Sequence, residues 1–252
     1  MASKFLRTLA VIAAAFALAT PVAHAQMTTD QVTELLNELK GIRAALEKLQ
    51  PPPQQNQPQE PVSDKVSMVM PTNGYSLGKA DAPLVIVEYT DLQCPFCQQF
   101  HNTAFDQLKK DYIDTGKVRF VSRDFPLDFH PNAKPAAIAS RCAGDQGKFW
   151  EMRHLMHVNA DKLSKEEYMK FAAELKLDQA KFKACADSDF YTADIDKQFQ
   201  EGSAVGVTGT PSFGVGRVVD GKLDGVRLVG AMPFAAFDST LKQMLETPPP
   251  AK

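Results

Sequence analysis

Cys94-Pro95-Phe96-Cys97 stands after a solid apolar run and at the head of an amphipathic one. Leu84-Val85-Ile86-Val87-Glu88-Tyr89 is apolar on both faces except at Glu88, which suits the middle of a buried sheet. Beyond Thr90-Asp91-Leu92-Gln93 and the cysteines, Phe100, Ala104, Phe105, Leu108, Tyr112 and Ile113 fall at helical spacing and predict a helix from Cys94 to about Asp114. The first cysteine therefore lies at a helix N-terminus. Unpaired N–H groups and the helix dipole favour a thiolate there, and the thiolate is the nucleophile of disulfide exchange. Two cysteines one turn apart can close on each other, so the pair can shuttle between dithiol and disulfide. The competing readings are half a zinc site and a static bridge. Zinc normally needs four ligands, often a second C-x-x-C or a histidine pair. Cys142 and Cys185 are isolated, and of His24, His101, His130, His154 and His157 only the last two are close together. Redox chemistry is the stronger reading, with no cofactor beyond the cysteines and no metal site.

The N-terminus indicates where that chemistry takes place. Lys4 and Arg7 precede an apolar stretch from Leu9 to Ala19, and Ala23-His24-Ala25 is a small-x-small cleavage signal. Residues 1–25 read as a signal peptide rather than a retained anchor, because the stretch is short for a span of about 20 residues. The expected location is periplasmic or otherwise extracytoplasmic, where disulfides persist. The full chain carries a net charge of −2, and loss of Lys4 and Arg7 with the leader makes it −4. That balance gives no electrostatic case for binding nucleic acid.

The mature chain divides by composition. Residues 26–50 hold a heptad seam, Val32, Leu35, Leu39, Ile42, Leu46 and Leu49, with steps of three and four. Thr28, Thr29 or Asp30 can cap the helix, and Glu38 and Arg43 occupy g and e positions that can pair between parallel helices. A helix of about 20 residues is marginal alone in water, so its stripe must find a partner: its own globular domain or other copies of the chain. Residues 51–64 are a Pro/Gln-rich linker that begins Pro51-Pro52-Pro53-Gln54-Gln55 and spans roughly 3.1 Å per residue. It favours a homo-oligomer, dimer or trimer, through residues 30–49. Residues 65–246 read as an edge strand at Val66–Met70, then β-α-β with its second strand at 118–122. Helical segments follow around 136–143, 149–157, 165–175 and 182–199. The final strands are at 212–219 and 226–229, joined through the hairpin signal Asp220-Gly221. Pro233 can occupy the first turn of a last helix to Leu245, and 247–252 is a tail.

At this point the chain resembles the DsbA-like thiol-disulfide oxidoreductases. Glu88-Tyr89-Thr90-Asp91-Leu92-Gln93-Cys94-Pro95-Phe96-Cys97 looks like that family's strand-to-active-site segment. Gly209-Thr210-Pro211-Ser212-Phe213 looks like its cis-proline loop, and Cys142 to Trp150 like a segment of its helical domain. The fold class that follows is α/β: a thioredoxin fold whose halves, 65–130 and 203–246, enclose an inserted helical domain at 131–202, plus an N-terminal coiled-coil helix. That extension is similar to oligomeric relatives such as ScsC-type proteins and dimeric members with isomerase activity.

The resemblance implies roles. Cys94, nearer the helix start and the surface, attacks, and Cys97 resolves the mixed disulfide. Glu88 would accept the proton of the buried cysteine; alternatively it sits at the strand end and reaches solvent. Pro95, Phe96, Thr210 and a cis Pro211 would bind substrate, with Thr210 pairing an extended chain. Threonine before that proline is found in isomerases and some other members. Phe96 replaces the histidine of the strongest oxidants, so Cys94 should be less acidic than theirs. In an exported protein Cys142 and Cys185 most simply form a structural disulfide, with a second redox pair as the alternative. Trp150, Met152, Met156 and Met169 read as helical-domain core. The implied activity is disulfide exchange, oxidase with isomerase, on unfolded or misfolded exported proteins, served by a redox partner in the membrane. The rival from another class is a copper- or zinc-binding tolerance protein using the Cys94 and Cys97 thiolates.

Overall fold

The computed structural model describes residues 28–49, 65–70 and 74–247. The predicted leader, the linker and all but the first residue of the tail lie outside the described residues. The chain divides into two units, Met1–Pro58 and Gln59–Lys252.

The first unit contributes helix α1, Thr29–Leu49. Its start is a capping box: the Gln31 N–H donates to Thr28 Oγ1 and the Thr28 N–H donates to Gln31 Oε1. Val32, Leu35, Leu36, Leu39 and Ile42 are exposed along it. The side chains of Leu46 and Leu49, the last two seam positions, lie outside the described residues.

The second unit is built on β3, Leu84–Thr90, in which every residue is buried. Edge strand β1 is Lys65–Val69 and β2 is Tyr75–Leu77. After β3 come helices α2, Pro95–Thr103, and α3, Phe105–Leu108, then strand β4, Val118–Asp124. The expected single helix to Asp114 is broken at Ala104 and ends in a π-helical turn, Lys109–Ile113. A π turn holds one extra residue, and at its end both Tyr112 and Ile113 are buried.

Five helices separate β4 from β5: α4 Ala133–Gly144, α5 Phe149–Val158, α6 Lys165–Glu174, α7 Gln179–Ala186 and α8 Thr192–Ala204. The sequence pattern merges the last two. Asp187-Ser188-Asp189 parts them, Ser188 Oγ donating to the Cys185 carbonyl, the kind of local bond with which small polar residues compete with helix. Strands β5, Ser212–Val219, and β6, Lys222–Val229, form a hairpin whose turn residues Asp220 and Gly221 both have positive φ, 50° and 76°. Within it Gly216 faces Gly225, and a Cβ on Gly216 would lie 2.1 Å from the Asp224 carbonyl oxygen. Helix α9, Phe234–Glu246, closes the fold, with Pro233 at its N-cap rather than inside its first turn.

The sheet order is β1-β6-β5-β3-β4-β2, with β3 parallel to β4 and antiparallel to β5. This is a mixed α/β thioredoxin-like fold. One sheet face packs Leu84, Ile86, Phe120 and Phe213 against Phe100 of α2 and Phe237 of α9. The other packs Val66, Val85, Val87 and Tyr89 with Phe125 and Val207. The insertion has its own core of Ala136, Ala139, Met152, Met156, Phe171 and Phe182. Trp150 is a correction. It packs with the sheet core, 6.2 Å from the Phe120 ring, because α5 contacts both α4 and α2 and is covered on two sides.

Cys142 of α4 and Cys185 of α7 are joined by a disulfide that closes a 43-residue separation. In the chain-entropy model that loop is worth about 4 kcal/mol. Cys142→Ala is expected to lower the melting temperature of the oxidised protein by roughly 10 °C for a domain of this size. Scanning calorimetry with and without reductant checks this, because reductant should erase the difference.

Candidate active site

The segment between β3 and α2 is fixed by one carboxylate. Asp91 is buried, and its oxygens accept from the Gln93 N–H at 2.7 Å, the Leu127 N–H at 2.9 Å and His130 Nδ1 at 2.8 Å. The Asp91 carbonyl accepts the Cys94 N–H, and Gln93 Oε1 accepts the Asn132 N–H. Cys94 is thereby held as the N-cap of α2 in extended conformation (φ −70°, ψ 124°), and Pro95 follows at a position that needs no N–H.

Neither cysteine is disulfide-bonded in this structure. Cys94 is 3% exposed and Cys97 0%, so the expected difference in accessibility is narrow. Their acidities, in contrast, are far apart. A hydrogen bond from the Cys97 thiol, with the N–H groups of Phe96 and Cys97, brings Cys94 down to about 5 against the opposing effect of burial. Burial first, then the hydrogen bond and charge of Cys94 and the charge of Glu88, push Cys97 well above the usual thiol value. One sulfur is therefore a thiolate at neutral pH and the other a thiol. The Asp91 N–H lies 3.5 Å from Cys97 Sγ.

The loop before β5 completes the site. The Thr210-Pro211 peptide bond is cis, and the Thr210 carbonyl oxygen lies 3.4 Å from Cys94 Sγ. Phe96 projects outward, 59% exposed. Cys94, Cys97, Pro95, Phe96, Thr210 and Pro211 thus come together.

Glu88 does not reach solvent. It is fully buried, and that excludes the strand-end alternative. Its Oε1 lies 2.8 Å from His101 Nε2 and its Oε2 accepts from Ser122 Oγ at 3.4 Å. The His101 ring stacks on His157, with centroids 3.9 Å apart. Burial, then the charges of His101, Arg153 and His154, push His157 well below the usual imidazole range, so it is neutral. Sequence reasoning missed His101 and Asp91. The available signal for His101 was its spacing, four residues after Cys97 and therefore on the same helix face. Among the described residues no group of three or more His, Cys, Asp or Glu side chains is arranged to hold a metal ion.

Residues 71–229 match the thioredoxin family. The fold superposes on alpha-DsbA1 of Wolbachia pipientis with a TM-score of 0.61 at 25% identity, covering 69% of this chain and 92% of that one. A Rickettsia prowazekii chain named as a protein-disulfide oxidoreductase is 30% identical over 186 residues, 71% of this chain and 68% of its own length. The chain belongs to the thioredoxin family, among its DsbA-like members. A Na+/H+ antiporter of Salinispora tropica is 32% identical over 182 residues, yet the chain spans only 27% of that relative's length. No helix among the described residues is long and apolar enough to cross a membrane.

The acidities generate a pH prediction. Cys94 ionises at about 5 when folded and near 8.5 when unfolded. Its contribution to the stability of the reduced protein is complete above the unfolded value and lost as pH falls through 5. Cys97, with a raised value, acts only above the unfolded one. Denaturant titrations from pH 5 to 8.5 should show reduced wild type gaining stability over reduced Cys94→Ser as pH rises, and the oxidised protein should lack that slope.

Proposed function

We propose that this chain is an extracytoplasmic thiol-disulfide oxidoreductase that exchanges disulfides in protein substrates, with isomerisation as well as oxidation. The observation that carries the reading is the geometry at the start of α2: Cys94 caps the helix, Cys97 is buried one turn inside, and the loop of the cis Thr210-Pro211 bond lies 3.4 Å from Cys94 Sγ. The Cys94 thiolate attacks a substrate disulfide, forming a mixed disulfide and releasing one substrate thiolate. Cys97, once deprotonated, attacks Cys94 Sγ, and the second substrate thiolate leaves. In the reverse direction a substrate thiolate attacks the Cys94–Cys97 disulfide, and the substrate is oxidised. Which direction prevails depends on the redox partner, here proposed to lie in the membrane. Membership among DsbA-like proteins supports this chemistry.

The cis-proline loop supports recognition of unfolded chains. An extended substrate beside Thr210 would pair with backbone near Cys94, which reads shape rather than sequence. The exposed Phe96 ring offers an apolar contact beside Cys94. Helix α1 supports isomerisation. Its exposed stripe, beyond a linker with little to pack, is suited to a second or third copy of the same helix. Several active sites on one base raise the effective concentration around one misfolded substrate.

Cys94→Ser should abolish turnover, whereas Cys97→Ser should accumulate substrate mixed disulfides. Diagonal gels of periplasmic extracts read this, and loss of activity in Cys97→Ser without trapping would overturn the order of attack. Deleting residues 26–61 should give a monomer by light scattering that keeps its disulfide potential and loses most activity on scrambled ribonuclease. A mature protein already monomeric at micromolar concentration would remove the oligomer and the isomerase reading together.

A further inference from the structure

Helices α4, α6 and α7 leave a cavity of about 450 Å³ between them, a size that holds a compact organic group. Its floor is apolar, formed by Tyr168, Met169, Phe182 and Ala186. The floor is also fixed. Phe182 and Tyr168 are buried, and the Cys142–Cys185 disulfide ties α7 to α4 one residue before Ala186. The Tyr168 hydroxyl is already engaged, donating to the Asn132 carbonyl at 3.3 Å.

The rim is charged but balanced. Asp187 accepts from Lys165 Nζ and Lys183 Nζ, each at 2.5 Å, and Glu166 supplies another negative charge. Lysines and carboxylates in equal number leave no field of one sign to draw in an ion. An apolar floor under such a rim suits an uncharged apolar group.

The neighbourhood of the cavity shows where that group comes from. Asn132 forms part of the wall and donates its backbone N–H to Gln93 Oε1 at 2.7 Å. Gln93 directly precedes Cys94. The loop leading to Asn132 is stitched to the same segment, since Asp91 accepts from the Leu127 N–H and from His130 Nδ1. Phe129, on that loop, is exposed and extends the apolar surface. A polypeptide joined to Cys94 Sγ advances about 3.3 Å per extended residue, so a few residues carry it from the sulfur past this loop.

We propose that the cavity between α4, α6 and α7 is a side-chain subsite for the polypeptide held on Cys94, and that it takes a large apolar residue close in sequence to the reacting substrate cysteine. This rests on the thiol-disulfide reading of the site and names its substrate class: chains whose core residues are still uncovered. Large apolar side chains are mostly buried once a protein has folded. The subsite therefore engages a substrate before folding and loses its grip as folding hides that residue.

The test uses the mature Cys97→Ser protein, in which the mixed disulfide of Cys94 with a single-cysteine peptide is exchanged against glutathione. The position of that equilibrium reports contacts other than the disulfide bond. The peptides are of alanine and serine, with one phenylalanine placed about two to six residues from the cysteine on either side. At one offset phenylalanine should favour the mixed disulfide about tenfold over alanine. Ala186→Trp fills the cavity and Met169→Glu charges its floor. Each should abolish the preference and leave exchange between glutathione and mercaptoethanol unchanged. Thermal melts establish that the variants are folded. If neither is, a peptide carrying a benzophenone at the preferred offset decides: labelling within residues 165–187 supports the subsite, and labelling only elsewhere overturns it. Equal equilibria for phenylalanine and alanine at every offset overturn the proposal, as does a preference that survives in either folded variant. A change of oligomeric state in Ala186→Trp by light scattering would assign the cavity to a second copy of the chain and overturn it too. Failure of Cys94 to form a mixed disulfide with any peptide or small thiol would instead overturn the thiol-disulfide reading itself.

Discussion

One buried carboxylate holds two helices of the insertion against the end of the sheet. Asp124, at the end of β4, accepts from Arg141 Nε of α4 at 2.7 Å and Arg153 Nη1 of α5 at 3.2 Å, and its N–H donates to Gln198 Oε1 of α8. All four residues are buried. Arg141 is shared with Asp194 of α8. Charges this far from water are costly unless paired, and removing one partner leaves the others stranded, at about 3–5 kcal/mol. The arrangement contributes more to placement than to stability. It sets α5 where His157 can stack on His101 and α8 where Gly202 meets the rings of Tyr89 and Phe125.

Two acid–histidine pairs flank the cysteines, and they differ in kind. Asp91 is saturated by two backbone N–H groups and His130, and each bond fixes a piece of loop. Such a carboxylate is a structural anchor. Glu88 has only side-chain partners, His101 and Ser122. No backbone N–H among the described residues is held by it. The active-site segment is tied by backbone bonds on the Asp91 side and by side-chain bonds on the Glu88 side, and Cys97 feels both: its sulfur lies 3.5 Å from the Asp91 N–H, and the charge of Glu88 helps to push its pKa up.

What the sequence made legible follows from periodicity. Strand β3 was plain because its apolar run is unbroken, and the hairpin because Asp220-Gly221 suits two positive φ angles. The C-x-x-C could be placed at a helix start from the apolar runs on either side of it. Strand β2 gave no signal, since three residues pairing with β4 carry no detectable period. The break at Ala104 was hidden because Phe100, Ala104 and Leu108 keep step with a continuous helix. Glu88 could be singled out as a carboxylate in an apolar strand, but not its burial, which depends on α2 and α5 closing over it. Asp91 and His130 are 39 residues apart, and only the tertiary fold brings them together.

The points of attachment of the insertion have a consequence of their own. Asp124, where the chain leaves the sheet, is opposite Thr90, and Ser212, where it returns, is opposite Tyr89 on the other side of β3. Exit and entry are therefore two strand spacings apart, about 10 Å. A segment placed in the gap must therefore bring its ends to that distance and also supply partners for buried Asp124. The central strand thus serves as the hinge line on which both ends of the insertion are fixed, one on each side of it.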